Sequence, residues 1–306
     1  MHAARVLCDS VSPQGVRLTT LEVVMPRIVL AEFNTHRMFS RNSASSRAIP
    51  VEKMIRMVLD NPYIPLSWGK NQRGMQADED IDAEASGYAR GVWLHARDAA
   101  VVQAERLLAI GVHKQLTNRL LEPFMWHTVI VTATEWDNFF HLRDNPDAHP
   151  DIQLVARRMR EAMVASTPQE LGAGEWHLPL VDPIMENVDS DRGEAAWAYW
   201  RKVSVARCAR VSYLTHDGKR DPEADLGLYD RLLAPGHMSP FEHVARPMEK
   251  ADLALEVIED LGPLAHVALS RTFSGNFRGW VQYRKTIAGE ADILGARKAG
   301  GLALER

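Results

Sequence analysis

The stretch from Leu18 to Leu30 constrains this chain most, because it crowds Leu21, Val23, Val24, Ile28 and Val29 together with Pro26 interrupting. Side chains of this kind fit a pleated, half-buried surface, and a proline removes a ladder donor, so the run predicts a strand or a strand pair. The chain then enters its densest polar cluster, Thr35-His36-Arg37-Met38-Phe39-Ser40-Arg41-Asn42-Ser43-Ala44-Ser45-Ser46-Arg47, with three arginines and four serines. A fold built on this sequence contains a sheet, and the cluster lies just beyond one of its strands.

Helical spacing is plain elsewhere. From Val92 to Ile110 the residues Trp93, Ala96, Ala100, Val101, Ala104, Leu107 and Leu108 share a face, and Gly111 stands where a C-terminal cap belongs. Further helices are expected over about Asp151 to Met163 and Glu194 to Ala209. Thr128-Val129-Ile130-Val131 reads as a buried strand or a helix start. Thr134 with Asp137 resembles a capping box for a helix through Leu142, which leaves Arg143 at its end. Pro168, Gly172, Gly174, Pro179 and Pro183 mark 166–190 as a connection between two segments, 15–165 and 191–288, and the small, charged tail 289–306 is expected to fray.

Composition narrows the class. The chain has 306 residues, 46% hydrophobic and 25% charged, which is ordinary for a globular protein and excludes disordered and fibrous classes. No run approaches the ~18 apolar residues of a membrane span, and Met1-His2-Ala3-Ala4-Arg5-Val6-Leu7-Cys8 lacks a signal-peptide core. With only Cys8 and Cys208 present, a reducing, cytoplasmic setting is expected. A net charge of −4 gives no general attraction to polymeric nucleic acid, so a bound phosphate would have to be held locally.

Neither a Gly-x-Gly-x-x-Gly fingerprint nor a P-loop occurs. The 35–47 cluster could hold a phosphate through arginine and hydroxyl hydrogen bonds; its bland alternative is a solvated Ser/Asn turn. His237 and His243 could be a metal pair, but no third ligand stands nearby, so no metal is expected. Trp68, Trp93, Trp126, Trp176, Trp197 and Trp200 read as core or subunit contacts.

The cluster resembles the signature of the flavin-dependent thymidylate synthases, Arg-His-Arg-x-x-Ser-x-Asn-Glu-x-Ser-x-Arg, through His36, Arg37, Ser40, Asn42, Ser45 and Arg47. Gly236-His237-Met238-Ser239-Pro240-Phe241-Glu242-His243 resembles that family's His-x-Ser/Thr-Pro-Phe-Glu-His segment, and Arg207-Cys208-Ala209-Arg210-Val211-Ser212-Tyr213 its Arg-Val-Ser segment. Asn118-Arg119-Leu120-Leu121-Glu122-Pro123 and Trp136-Asp137-Asn138-Phe139-Phe140-His141-Leu142-Arg143 supply a third likeness. In the familiar enzymes the Arg-Val-Ser and Pro-Phe-Glu-His segments come first; here they follow, which implies a circular permutation. A partial duplication is the alternative, since Trp280-Val281-Gln282-Tyr283-Arg284 faintly echoes the signature.

The resemblance implies an α+β fold, an antiparallel sheet with flanking helices, forming one catalytic domain from the two permuted segments. It implies transfer of a one-carbon unit from methylenetetrahydrofolate to C5 of a deoxypyrimidine monophosphate, with FAD as cofactor, NADPH as reductant and a homo-oligomer, a tetramer, with flavin at its interfaces. Deoxyuridylate as substrate and thymidylate as product are the first expectation. The alternatives are a deoxycytidylate or deoxyuridylate hydroxymethylase or methylase, and a non-catalytic flavin- or nucleotide-binding homologue.

By the same resemblance Arg143 would polarise the pyrimidine, and Glu32, Ser45, Ser46 (through its backbone), Arg47, Arg119 and Arg143 would hold the nucleotide. Of these arginines Arg119, between Leu116 and Leu120, is expected to be the buried one. His36, Arg37, Met38, Asn138, Leu142, Ser212, His237, Ser239 and Glu242 would line the flavin site, with His36 and Arg37 as a basic pair for the reduced ring. Three positions depart from the family: Thr35 replaces an arginine, Ser43 a glutamate, and Glu32 a glutamine that usually precedes the signature. An acidic Glu32 could accept a hydrogen bond from the amino group of cytosine.

Overall fold

The computed structural model describes residues 1–74, 76–182, 193–211, 221–253, 273–288 and 290. Its first two strands, β1 (Ala3–Val11) and β2 (Arg17–Pro26), pair antiparallel through a turn closed by Ser12 N–H to Val16 O (3.0 Å) and Gly15 N–H to Ser12 O (2.8 Å). Gly15 sits there at φ 74°, a left-handed conformation that costs glycine little. β1 was not foreseen in the sequence: a bulge between Val6 and Cys8 breaks its alternation. The Leu18 to Leu30 run is strand up to Pro26. It then turns through a 3-10 segment, Arg27–Val29, into the short helix α1 (Leu30–Asn34).

The polar cluster supplies strand β3 (Ser40–Ser43), followed by α2 (Val51–Asp60) and the long α3 (Ala83–Ala109). The predicted Val92 to Ile110 helix is thus longer at its N-terminus, where Asp82 accepts from Ala85 N–H as a cap. A turn of helix, α4 (Lys114–Thr117), and a 3-10 segment, Asn118–Phe124, lead to β4 (Trp126–Ala133). β4 settles the Thr128 to Val131 ambiguity in favour of a strand, since β2 and β3 pair with it on either side.

Helices α5 (Asp137–Arg143) and α6 (Pro150–Val164) follow, then the two-residue β5 (Gln169–Glu170). The expected capping box does not form: α5 starts at Trp136 without a side-chain cap, and Thr134 Oγ1 accepts instead from Arg278 N–H at 3.0 Å. The resulting five-stranded sheet runs β3-β4-β2-β1-β5. It is antiparallel except for β5, which joins β1 in parallel, so part of the predicted connection 166–190 belongs to the sheet.

Alternation along the strands gives this sheet two different faces. Leu21, Val23 and Met25 of β2 and Val129, Val131 and Ala133 of β4 pack on Ile152, Val155, Ala156 and Met159 of α6, with Phe33, Phe39 and Phe139 closing one end. The other face presents Thr20 to His177, and Ile130 and Thr132 to the second segment.

That segment holds α7 (Gly193–Arg210), α8 (Pro222–Leu233), a 3-10 turn (Ser239–Glu242), β6 (Ala245–Pro247), α9 (Lys250–Leu253), β7 (Phe273–Ser274), β8 (Phe277–Arg278) and β9 (Trp280–Gln282). The short strands form a smaller sheet, β6-β9-β7-β8. α7 buries Val203, Ser204, Val205, Ala206, Arg207, Cys208 and Ala209 in succession, as expected of a helix enclosed on several sides. Arg207 and Arg210 both reach Asp225 of α8, at 3.0 and 2.8 Å. Asp225 is itself buried, and a carboxylate so placed is stable only when its charge is matched.

A buried chain of hydrogen bonds staples the segments together. Ser10 Oγ meets His177 Nδ1 (2.8 Å), His177 Nε2 meets Thr20 Oγ1 (2.8 Å), Thr20 meets Thr132 Oγ1 (2.7 Å), and Thr132 meets His243 Nδ1 (2.7 Å). Burial pushes both imidazoles down to about 3, so they act as neutral linkers. Of the expected features, Ser212 and most of the 289–306 tail lie outside the described residues. No described helix is long and apolar enough to cross a membrane.

Candidate active site

The turn that ends α1 places Glu32, Thr35 and His36 one helical turn apart, on one side of the chain. All three face Arg143, the last residue of α5. Arg143 Nε donates to His36 Nε2 at 3.0 Å, Nη2 to Thr35 Oγ1 at 3.3 Å, and Nη1 lies 3.5 Å from Glu32 Oε2. Thr35 Oγ1 donates its own proton to the Glu32 carbonyl at 2.7 Å, so only its lone pairs face the guanidinium. Since an arginine only donates, His36 Nε2 must be unprotonated. Burial, then the guanidinium charges of Arg143 and Arg41, push His36 down to about 4, which keeps that acceptor available near neutrality.

Beside this grip lies a cleft of about 520 Å³ lined by Thr35, His36, Arg37, Met38, Phe39, Glu135, Asp137, Asn138, Phe139 and Leu142. Five residues expected at the flavin site, His36, Arg37, Met38, Asn138 and Leu142, therefore share one wall system. Aromatic packing fixes its floor: the His36 ring meets Phe139 edge-on at 4.9 Å, and Phe39 packs on Phe139 and Trp136. The neutral His36 is not half of a basic pair, as the sequence reading had it. Arg37, exposed and with no hydrogen-bond partner among the described residues, is the cation of this cleft.

Past β3 a second cleft of about 470 Å³ opens between Asn42, Ser45, Arg47, Ala48, Gln115, Ala209, Leu232, His237, Ser239 and Pro240. It unites Ser45 and Arg47, expected on the nucleotide, with His237 and Ser239, expected on the flavin, although nearly 200 residues separate them in the sequence. Asn42 joins the two segments here: its Nδ2 donates to Cys208 O (3.0 Å) and its Oδ1 accepts from Ser239 Oγ (2.9 Å). Arg47 is exposed with no partner among the described residues, and no carboxylate lines this cleft.

Ser46, Arg119 and Glu242 line neither cleft. Ser46 is buried and donates to Glu122 Oε1 at 2.7 Å. Arg119 binds the same oxygen at 2.7 Å with its side chain 48% exposed, so the expectation that it is the buried arginine fails. Its flanking leucines are exposed as well, Leu116 at 61% and Leu120 at 39%, which is why they gave a false core signal. Glu242 pairs with Arg284, and Gln282 Nε2 donates to both Ser40 Oγ (2.8 Å) and the Glu242 carbonyl (3.2 Å). Asn42, Gln115, Glu122 and Gln282 are assigned no role by the sequence, although Asn42, Glu122 and Gln282 each lie in a segment that resembles the family and only Gln115 carries no such signal.

Residues 12–169, more than half of the 306-residue chain, match the family described as thymidylate synthase complementing protein. The chain belongs to this family. No curated protein matches it. Two structures of the UMP/dUMP methylase PolB from Streptomyces cacaoi are similar, bound with 5-Br dUMP and with 5-Br UMP. They share 15% and 17% sequence identity, each with a TM-score of 0.44 over 54% of this chain and 90% and 89% of theirs. The thymidylate synthase complementing protein match spans the first cleft and Arg143, and from the second cleft Asn42, Ser45, Arg47 and Gln115.

A flavin dinucleotide brings a flat ring with an imide edge and two phosphates. The first cleft answers the ring, with apolar and aromatic walls, the Asn138 amide and Arg37, while Glu135 and Asp137 on its rim disfavour phosphate. The second cleft, a guanidinium among hydroxyls and amides with no carboxylate, answers a phosphate. The first donor set fits a flavin ring and the second a phosphate group.

Proposed function

We propose that this chain is a flavin-dependent enzyme that transfers a one-carbon unit from methylenetetrahydrofolate to C5 of deoxyuridylate, making thymidylate, with FAD as its flavin and NADPH as reductant. The observation that carries this reading is the convergence of His36, Arg37, Met38, Asn138 and Leu142 on one cleft, beside an Arg143 whose direction is fixed by three acceptors. Family membership and the carboxylate-free cleft around Arg47 support it.

The reduced flavin supplies the hydride that completes the one-carbon unit. The protein's own residues bind, orient and polarise. Arg143 donates to the pyrimidine edge and, because a guanidinium keeps its proton, stabilises negative charge that develops on the ring. Arg47, Ser45 and Gln115 hold the phosphate. Arg37 favours an anionic reduced ring in the first cleft.

A second reading, deoxycytidylate as substrate with a methylated or hydroxymethylated product, is favoured by one observation. Glu32 places Oε2 toward Arg143, while Oε1 has no hydrogen-bond partner among the described residues. Such an oxygen accepts from a ring amino group, which cytosine has and uracil lacks. We further propose one catalytic domain formed from two circularly permuted segments, a cytoplasmic setting, and a tetrameric assembly.

The test is the visible absorption spectrum of purified, desalted protein, before and after deoxyuridylate or deoxycytidylate is added. Flavin bands that respond to deoxyuridylate support the first reading, and bands that respond only to deoxycytidylate support the second. A colourless protein that takes up no supplied flavin overturns both.

A further inference from the structure

Two of the three departures from the family signature meet on one atom group. Thr35 stands where the resemblance expects arginine and Glu32 where it expects glutamine, and both contact the guanidinium of Arg143. The two changes are electrostatically of one kind. Arginine to threonine removes a positive charge and glutamine to glutamate adds a negative one, so the surroundings of Arg143 differ by two charges from the family pattern.

An arginine at position 35 would set a like charge against Arg143; the hydroxyl offers an acceptor in its place. That hydroxyl cannot turn away as a donor, because its proton is committed to the Glu32 carbonyl at 2.7 Å. Glu32 adds a partly exposed carboxylate at 3.5 Å, and His36, neutral by burial, accepts from Nε at 3.0 Å. All three nitrogens of the guanidinium are thus met from one turn of chain, on a side chain only 21% exposed. Arg41 closes the same turn from behind, its Nη1 donating to Phe33 O (3.4 Å) and His36 O (3.3 Å), so the turn that carries the acceptors is itself tied down.

We propose that Glu32 and Thr35 are positioning residues that, together with His36, fix the direction in which Arg143 presents its remaining N–H groups to the pyrimidine. The inference rests on the reading of Arg143 as the group that polarises the substrate base. It assigns the two departures a joint purpose: they replace one way of orienting this arginine with another.

The experiment uses the full chain with its flavin and compares wild type, Thr35→Val, Glu32→Gln and the double variant. The first readout is tritium release from C5-labelled deoxyuridylate, split into kcat and KM. The second is the exchange with water of the Arg143 Nε–H, followed by NMR on arginine-labelled protein and assigned with Arg143→Lys. The expected result is a roughly tenfold loss of kcat in each single variant with KM within about threefold, a double variant much less than a hundredfold down because both changes act through one group, and faster Nε–H exchange in both. Unchanged kcat together with an unchanged Arg143 signal overturns the proposal. A raised KM at constant kcat also overturns it, because Glu32 or Thr35 would then merely bind substrate. If wild type releases no tritium while the Arg143 signal still responds to both variants, the positioning stands and the reading of the reaction fails.

Discussion

A guanidinium polarises a substrate only along the direction its N–H groups point, so the chemistry proposed for this protein concentrates in very few atoms. Replacing Arg143 by lysine keeps a charge but loses the planar fork, and tritium release should fall by about 10² to 10³ while deoxyuridylate affinity changes much less. Arg47 has the opposite signature. Arg47→Ala should weaken deoxyuridylate binding by roughly 1.5 to 3 kcal/mol and leave binding of uncharged deoxyuridine unaffected, as calorimetry on the pair of ligands would show. At this scale the sequence was legible where residues share a motif: His36 and Arg37 line the first cleft, Arg47 the second, and Arg143 contacts His36. It was not legible where a residue acts through a distant partner. Nothing around Thr35 announces that its hydroxyl will meet an arginine far along the chain.

Elements carry the next level. The strand after which the polar cluster begins, the helix over 83–109 and the helix over 150–164 were readable because periodicity is local. β1 escaped because of its bulge, and the capping box failed because Thr134 found a partner in the second segment. β3 is the element on which the two clefts depend. It ends one and begins the other, and Asn42 ties it to α7 and to the 3-10 turn 239–242. Asn42→Ala strands the Cys208 carbonyl in the interior and should cost about 1 to 3 kcal/mol in chemical denaturation, along with nucleotide affinity in the second cleft. Met159→Ala, by contrast, removes packing between α6 and the sheet. It should cost about 2 to 5 kcal/mol without moving the nucleotide affinity of the folded protein.

For the molecule as a whole, long-range links contribute much of the stability. His127, His177 and His243 are each pushed from 6.5 down to about 3, chiefly by burial. Their folded pKa values lie below the unfolded one, so the stability they contribute is complete above pH 6.5 and drains away as pH falls toward 3. The unfolded chain takes up the protons first, at up to about 1.4 kcal/mol per pH unit for each histidine. Urea unfolding across this range should therefore lose several kcal/mol by about pH 4.5, and His243→Asn should flatten the slope. The proposed assembly would use the exposed side of α3. Val101 and Ala104 face the interior, whereas Tyr88 (78% exposed), Val92 (52%) and Val102 (43%) project together from the opposite side at helical periodicity. A second apolar stripe on a helix already docked supports self-association, and Val92→Asp should shift the mass found by light scattering toward the monomer.

The most direct test of the central claim is the identity of the nucleotide product. The purified protein, supplied with flavin, NADPH, methylenetetrahydrofolate and deoxyuridylate, should yield a nucleotide heavier by one methyl substituent and indistinguishable from thymidylate by mass and chromatography. Deoxyuridylate recovered unchanged, from protein shown to hold flavin and to bind the nucleotide, would contradict the account.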